Sequence, residues 1–104
     1  MIKLVENRIG ALRDACRRHQ VVRLEIFGSA ASGVAFNDRH SDIDFLVTFR
    51  AGADLGPWLA EYFNLRDELE QALDKPVDLV MDGAVNNPLF RRQVDQSREL
   101  IYAG

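Results

Sequence analysis

The sequence predicts a small α+β domain, a two-layer α/β arrangement with a short β-sheet flanked by helices. Three short apolar runs of strand character lie at residues 21–27, 42–49 and 77–81. Segments with helical spacing separate or flank them, at residues 3–19, 57–73 and 88–94. The link between the first two runs is short and hairpin-like, whereas a helix stands between the second and third. Alternation of this kind gives a sheet covered by helices.

Taken in order, Val5, Ile9, Leu12 and Cys16 share one face of a helix expected over residues 3–19, with Arg13, Arg17, Arg18 and His19 toward its C-terminal end. Cys16 is expected in the core, and His19 as a helix-end residue. Val22, Leu24 and Ile26 alternate with Arg23, Glu25 and Phe27 in the first strand. A helical turn is expected over Ser29-Ala30-Ala31-Ser32, ended by Gly33, with a polar loop over residues 34–41 in which His40 is a surface residue. The second strand covers residues 42–49.

Pro57 suits the first turn of a helix, and Trp58, Tyr62, Leu65, Leu69 and Leu73 recur at helical spacing. Trp58, Tyr62 and Phe63 are therefore expected to be core, and Asn64 offers an alternative start for the helix near Leu65. The third strand is Val77-Asp78-Leu79-Val80-Met81. Asp82-Gly83 marks a turn, Asn87-Pro88 an N-cap and N1 pair, and Leu89, Phe90 and Val94 a short amphipathic helix. Glu99 to Tyr102 forms a last strand or docking segment, and Arg91, Arg92 and Arg98 are expected to be solvated.

The chemistry concentrates between Phe27 and Val47. The run Leu24-Glu25-Ile26-Phe27 stops at Gly28-Ser29, where glycine admits a bulky anion and serine offers a hydroxyl and free amides. Asp42 and Asp44 are one residue apart and run straight into Phe45-Leu46-Val47, so in a strand they share a face. Two such carboxylates repel each other unless a cation or proton lies between them, and Mg²⁺ is the usual solution for hard oxygen ligands. Asp78 stands between apolar neighbours in the third strand, where an unpaired buried acid would be costly. Pointing toward Asp42 and Asp44, it would be a third metal ligand or a proton acceptor.

Gly28-Ser29, Gly33, Asp42-x-Asp44 and the downstream Val77-Asp78-Leu79-Val80 together resemble the signature of the polymerase-β-like nucleotidyltransferases, and in particular its minimal nucleotidyltransferases. The resemblance spans Val22 to Tyr102. It implies a mixed sheet and transfer of AMP from ATP to a hydroxyl. Gly28 and Ser29 would bind the nucleotide's terminal phosphates. Asp42, Asp44 and Asp78 would be both catalytic and metal-binding, holding two Mg²⁺ ions, with Mn²⁺ as the alternative ion. Asp78 would also take the proton from the acceptor. The acceptor so implied is a tyrosine on a helical HEPN-type toxin, with the enzyme acting as antitoxin. Two other readings are a contact-only binding module and a stand-alone small-molecule nucleotidyltransferase. Many minimal members carry arginines in the turn after Gly-Ser, where this chain has Ala30, Ala31 and Ser32.

Composition bounds these readings. The 104 residues point to one domain, residues 1–104, which buries roughly 65% of its unfolded surface. With 47% hydrophobic and 28% charged residues the chain is of ordinary globular type. A net charge of −3 argues against a dedicated nucleic-acid binder, but admits a nucleotide held through a metal. No apolar run approaches the roughly 20 residues of a membrane span, and Glu6 and Arg8 interrupt any signal-peptide pattern. The single Cys16 forms no internal disulfide, so a reducing cytoplasm is the expected location. A homo-oligomer is compatible with the chain.

Overall fold

The computed structural model describes every residue from Met1 to Gly104. In chain order the elements are α1 (Lys3–Asn7), α2 (Ile9–Arg18), β1 (Val21–Phe27), α3 (Ser29–Ser32), β2 (Ile43–Phe49), α4 (Ala60–Leu73), β3 (Val77–Met81), α5 (Pro88–Ser97) and β4 (Glu99–Ala103). The sheet runs β3-β2-β1-β4 and is mixed. β1 is antiparallel to both β2 and β4, while β2 and β3 are parallel. The parallel pair is the one with a helix between its strands, because a parallel neighbour requires a crossover.

Alternation along the strands sorts residues onto two faces. Ile26, Ile43, Phe45, Val47, Val77 and Leu79 join the main core, where Val5, Leu12 and Cys16 meet Leu65, Leu69 and Leu73 of α4. The opposite face carries a smaller cluster, Phe27, Leu46 and Val94, with Val80, Val85 and Phe90 packed against it. α5 therefore adds a patch of cover on the second face of the two-layer core. Asn87 caps α5 as its sequence signature requires, its side chain accepting from the amides of Leu89 and Phe90. No helix is long and apolar enough to cross a membrane.

Several expectations need correction. The first helix breaks at Arg8, which leaves the helical region at φ −113°, ψ 11°. Gly10, a weak helix former, follows the break, and the Ile2 amide is tied to the Ala30 carbonyl at 2.9 Å. Trp58 is 94% exposed and Phe63 is also exposed, so the aromatic group is not core. Tyr62 alone turns inward, its hydroxyl donating to the Leu79 carbonyl. Trp58 and Leu59 both lie at φ 57°, a left-handed conformation that bulky side chains rarely adopt. Regular helix begins only at Ala60 and runs unbroken through Asn64, so Asn64 starts nothing.

His19 is more than a helix end: its ring nitrogens lie 3.2 Å from Glu61 and 2.7 Å from Glu68, tying α2 to α4. Arg91 is bound to Asp82 at 2.9 Å, and Arg98 is not free in solvent either. Its guanidinium grips Glu25 through two bonds of 2.8 and 2.7 Å. Cys16 is fully buried as expected, and burial pushes its thiol pKa up to about 12, which keeps it inert.

Candidate active site

The acids gather at the N-terminal ends of the parallel pair, on the sheet face that α5 partly covers. Asp44 is the second residue of β2, flanked in register by Phe27 of β1 on one side and Asp78 of β3 on the other. Adjacent strands lie about 4.8 Å apart, and paired residues of a parallel ladder point to the same face. Asp44 and Asp78 are therefore direct neighbours. Asp42 precedes β2 by one residue and is exposed. Asp78 is exposed as well, because β3 is an edge strand; its burial between apolar neighbours is an expectation that fails. Asp44 is half-buried. None of the three carboxylates receives a hydrogen bond or ion pair from the protein. No group of three such side chains stands close enough to hold a metal ion between them.

That arrangement has an electrostatic signature. The pKa of Asp44 rises from the ordinary 3.8 to about 6, first through burial and then through the negative charges of Asp78 and Asp42. Because the folded value lies above the unfolded one, ionised Asp44 opposes folding. The cost is full above pH 6, shrinks as the pH falls toward 3.8, and is absent below that value. Asp44→Asn removes the charge and keeps the shape. It is expected to stabilise the metal-free protein at pH 7 by roughly 1–2 kcal/mol, allowing for the water that still reaches the site. Urea unfolding in EDTA at pH 7 and pH 4 checks this. An equal effect at both pH values would contradict the assigned cause.

Gly28 sits where β1 ends. It lies at φ 73°, ψ −156°, a region essentially confined to glycine, and a Cβ built there would stand 2.5 Å from Asp44 Oδ2. The backbone of the turn and the Asp44 carboxylate thus touch without any side chain between them. The first helical bonds of α3 run from the Ala31 and Ser32 amides to the Gly28 carbonyl, at 3.1 and 3.2 Å. The Ser29 and Ala30 amides precede them and lack helical partners. Ser29 is half-buried and is the first helical residue, following Gly28 as the N-cap, which removes its own reading as an N-cap. Ala30 and Ala31 are buried in the main core, so their positions have no room for arginine side chains. His40 is an exposed loop residue, as expected.

A glycine cradle at the end of one strand, beside two facing carboxylates on the next two, suits a polyphosphate bridged by a divalent cation. The profile of the family described as "Polymerase beta, Nucleotidyltransferase" matches residues 11–104. The chain belongs to this nucleotidyltransferase family. A Methanocaldococcus jannaschii relative named "Putative protein adenylyltransferase" is 33% identical over 102 residues, 90% of this chain and 96% of its own. Among solved structures, one described as a "putative minimal nucleotidyltransferase" shares 34% identity with a TM-score of 0.72, covering 94% of this nucleotidyltransferase and 95% of that chain. A toxin–antitoxin structure with AMP-PNP shares 26% identity with a TM-score of 0.65, covering 95% and 73% of the two chains.

Of the residues read from the sequence, the structure brings Gly28 and Asp44 into contact and sets Asp44 opposite Asp78. Asp42 lies beside them at the mouth of β2, and Ser29 lies next in the chain to Gly28. Two contributors escaped the sequence reading. Glu25 is a carboxylate only 4% exposed, and Ser97 accepts the Gly28 amide at 2.8 Å. A charged residue in the alternating, largely apolar β1 was a signal for the first. Nothing in the sequence marked the second.

Proposed function

We infer that this nucleotidyltransferase moves AMP from ATP to a hydroxyl of a protein partner, a tyrosine on a helical HEPN-type toxin, and so serves as antitoxin. The observation that carries the reading is the facing pair Asp44 and Asp78 beside Gly28, with no protein cation to neutralise it. The relative named as a protein adenylyltransferase, matched over nearly its full length, supports the reaction class. The toxin–antitoxin structure with AMP-PNP supports both nucleotide and partner. The resemblance of the motifs to minimal nucleotidyltransferases supports the HEPN class.

The donor set fits a divalent ion: three hard carboxylates, unpaired and mutually repelling. Asp42, Asp44 and Asp78 would hold Mg²⁺, with Mn²⁺ as the alternative. When bound, the metal would neutralise the acids and polarise phosphate oxygens. Gly28 lets the phosphates approach the backbone, and Ser29 offers them its hydroxyl and amide. Asp78, the more open of the two facing acids, would accept the tyrosine proton as the new phosphorus–oxygen bond forms and pyrophosphate leaves. Transfer of this kind depends mainly on positioning and charge stabilisation, which suits so small a domain.

The test mixes the protein with ATP, Mg²⁺ and a HEPN-type partner and follows the partner by intact-mass spectrometry. One AMP increment or more on the partner is expected, located to tyrosine by fragmentation and absent in excess EDTA. An unmodified partner that is nevertheless silenced in the complex would replace the enzymatic reading with the contact-only one.

A further inference from the structure

β1 reaches its last antiparallel pairings at Phe27 with Asp44 and at Ile26 with Glu99. The next amide, that of Gly28, has no strand to bind. It donates instead to Ser97 Oγ at 2.8 Å, across 69 residues of sequence. The Ser97 hydroxyl oxygen lies 3.5 Å from the Gln93 carbonyl one helical turn earlier, at the long limit of a hydrogen bond. Ser97 is the last residue of α5, and the next residue is clamped as well: Arg98 makes its two-pronged bond to buried Glu25, three residues before Gly28. Residues 97 and 98 thus hold residues 28 and 25, one bond to the cradle and one to the strand that leads into it.

The Gly28 peptide is the pivot of the cradle. Its unusual φ/ψ sets the direction of the Ser29 amide and hydroxyl, and its Cα lies against the Asp44 carboxylate. A rotation about this peptide would turn the phosphate-facing groups away from the acids. We propose that Ser97 is a positioning residue for the nucleotide, fixing the Gly28 peptide so that the cradle and the carboxylates face one polyphosphate. The proposal rests on the nucleotide-binding reading of Gly28 and Ser29. Ser97 itself touches neither substrate nor metal.

ATP affinity is measured by calorimetry with Mg²⁺, at a temperature where circular dichroism shows every variant folded. Ser97→Ala is expected to weaken binding about threefold to tenfold, the worth of one neutral hydrogen bond, and Ser97→Thr, which keeps the oxygen, to restore it. A helix-end residue of purely structural importance would lower the unfolding midpoint without moving the affinity of the folded protein. Equal affinities for wild type and Ser97→Ala overturn the role of Ser97 alone. Absence of ATP binding by the wild type overturns the nucleotide reading itself. Hydrogen exchange at the Gly28 amide needs no variant: slowing of at least about tenfold relative to an unstructured chain is expected in the wild type. Free exchange there would show that the anchor does not hold.

Discussion

Replacing Asp42 and Asp44 together by asparagine should leave a folded protein that transfers nucleotide at least about a hundredfold more slowly, since metal-bound carboxylates supply several kcal/mol of transition-state stabilisation. The fold should survive because neither side chain holds anything in the structure: no hydrogen bond or ion pair reaches them, and Asp44 pays for its half-burial with a raised pKa near 6. The metal-free double variant is therefore expected to melt at or above the wild-type temperature. Intact-mass analysis of the partner beside a growth assay gives the decision. Loss of the AMP increment together with loss of protection supports enzymatic silencing. Protection that persists without an adduct, in wild type and variant alike, would move the protein to the contact-only class.

The largest effect on stability is expected elsewhere, at Arg98→Ala. Glu25 is almost wholly shielded from water, and the bidentate Arg98 bond, followed by burial working the other way and then by Arg23, leaves its pKa below the usual carboxylate value. Removing Arg98 strands that charge with only the 3.0 Å bond from Arg23. Loss of one partner of a buried pair costs about 3–5 kcal/mol, and the remaining arginine brings the expectation to about 2–4 kcal/mol. For a domain of this size that lowers the melting temperature by roughly 10–20 °C. The sign of the pH dependence follows from the lowered folded pKa. The stabilisation is present above the ordinary glutamate value of 4.5 and is lost as the pH falls through the folded value, so wild type and variant should converge in acid. Adding Glu25→Gln to the variant should recover part of the loss. A change below about 0.5 kcal/mol would mean that water already serves Glu25 in the native state.

How much of this was legible in the chain depended on the range of the interaction. The strands were legible because burial imposes period two on Leu24 and Ile26 and continuous apolarity on Phe45 to Val47. Asp44 was legible as the charged step into that apolar run, and the structure makes it the second residue of β2, with Asp42 just outside the strand. The misreadings arose where spacing was extended beyond the element that gives it meaning. Trp58 falls on the helical stripe of Tyr62, Leu65 and Leu69, yet it lies outside α4 with φ 57°, so its phase says nothing about burial. Asp78 looked buried because its neighbours are, but the position of β3 at the sheet edge opens it to water. The pairs Glu25–Arg98 and Gly28–Ser97 span 73 and 69 residues, and no local pattern reports a partner at that distance.

Those long spans also govern when the protein becomes competent during its synthesis. The chain grows from its N-terminus, and β1, β2, α4 and β3 with all three acids exist before α5 ends and β4 begins. Yet the outer neighbour of central β1 is β4, and the bond that fixes Gly28 comes from Ser97. Contacts so distant in sequence form late and close slowly. A nascent chain that has been made only as far as β3 carries the carboxylates but not Ser97, and so lacks the bond to the Gly28 amide. On the proposed reading, nucleotide binding should therefore reach full strength only with the arrival of residues 97–103, and a product clipped before them would keep the acids but hold the nucleotide more weakly.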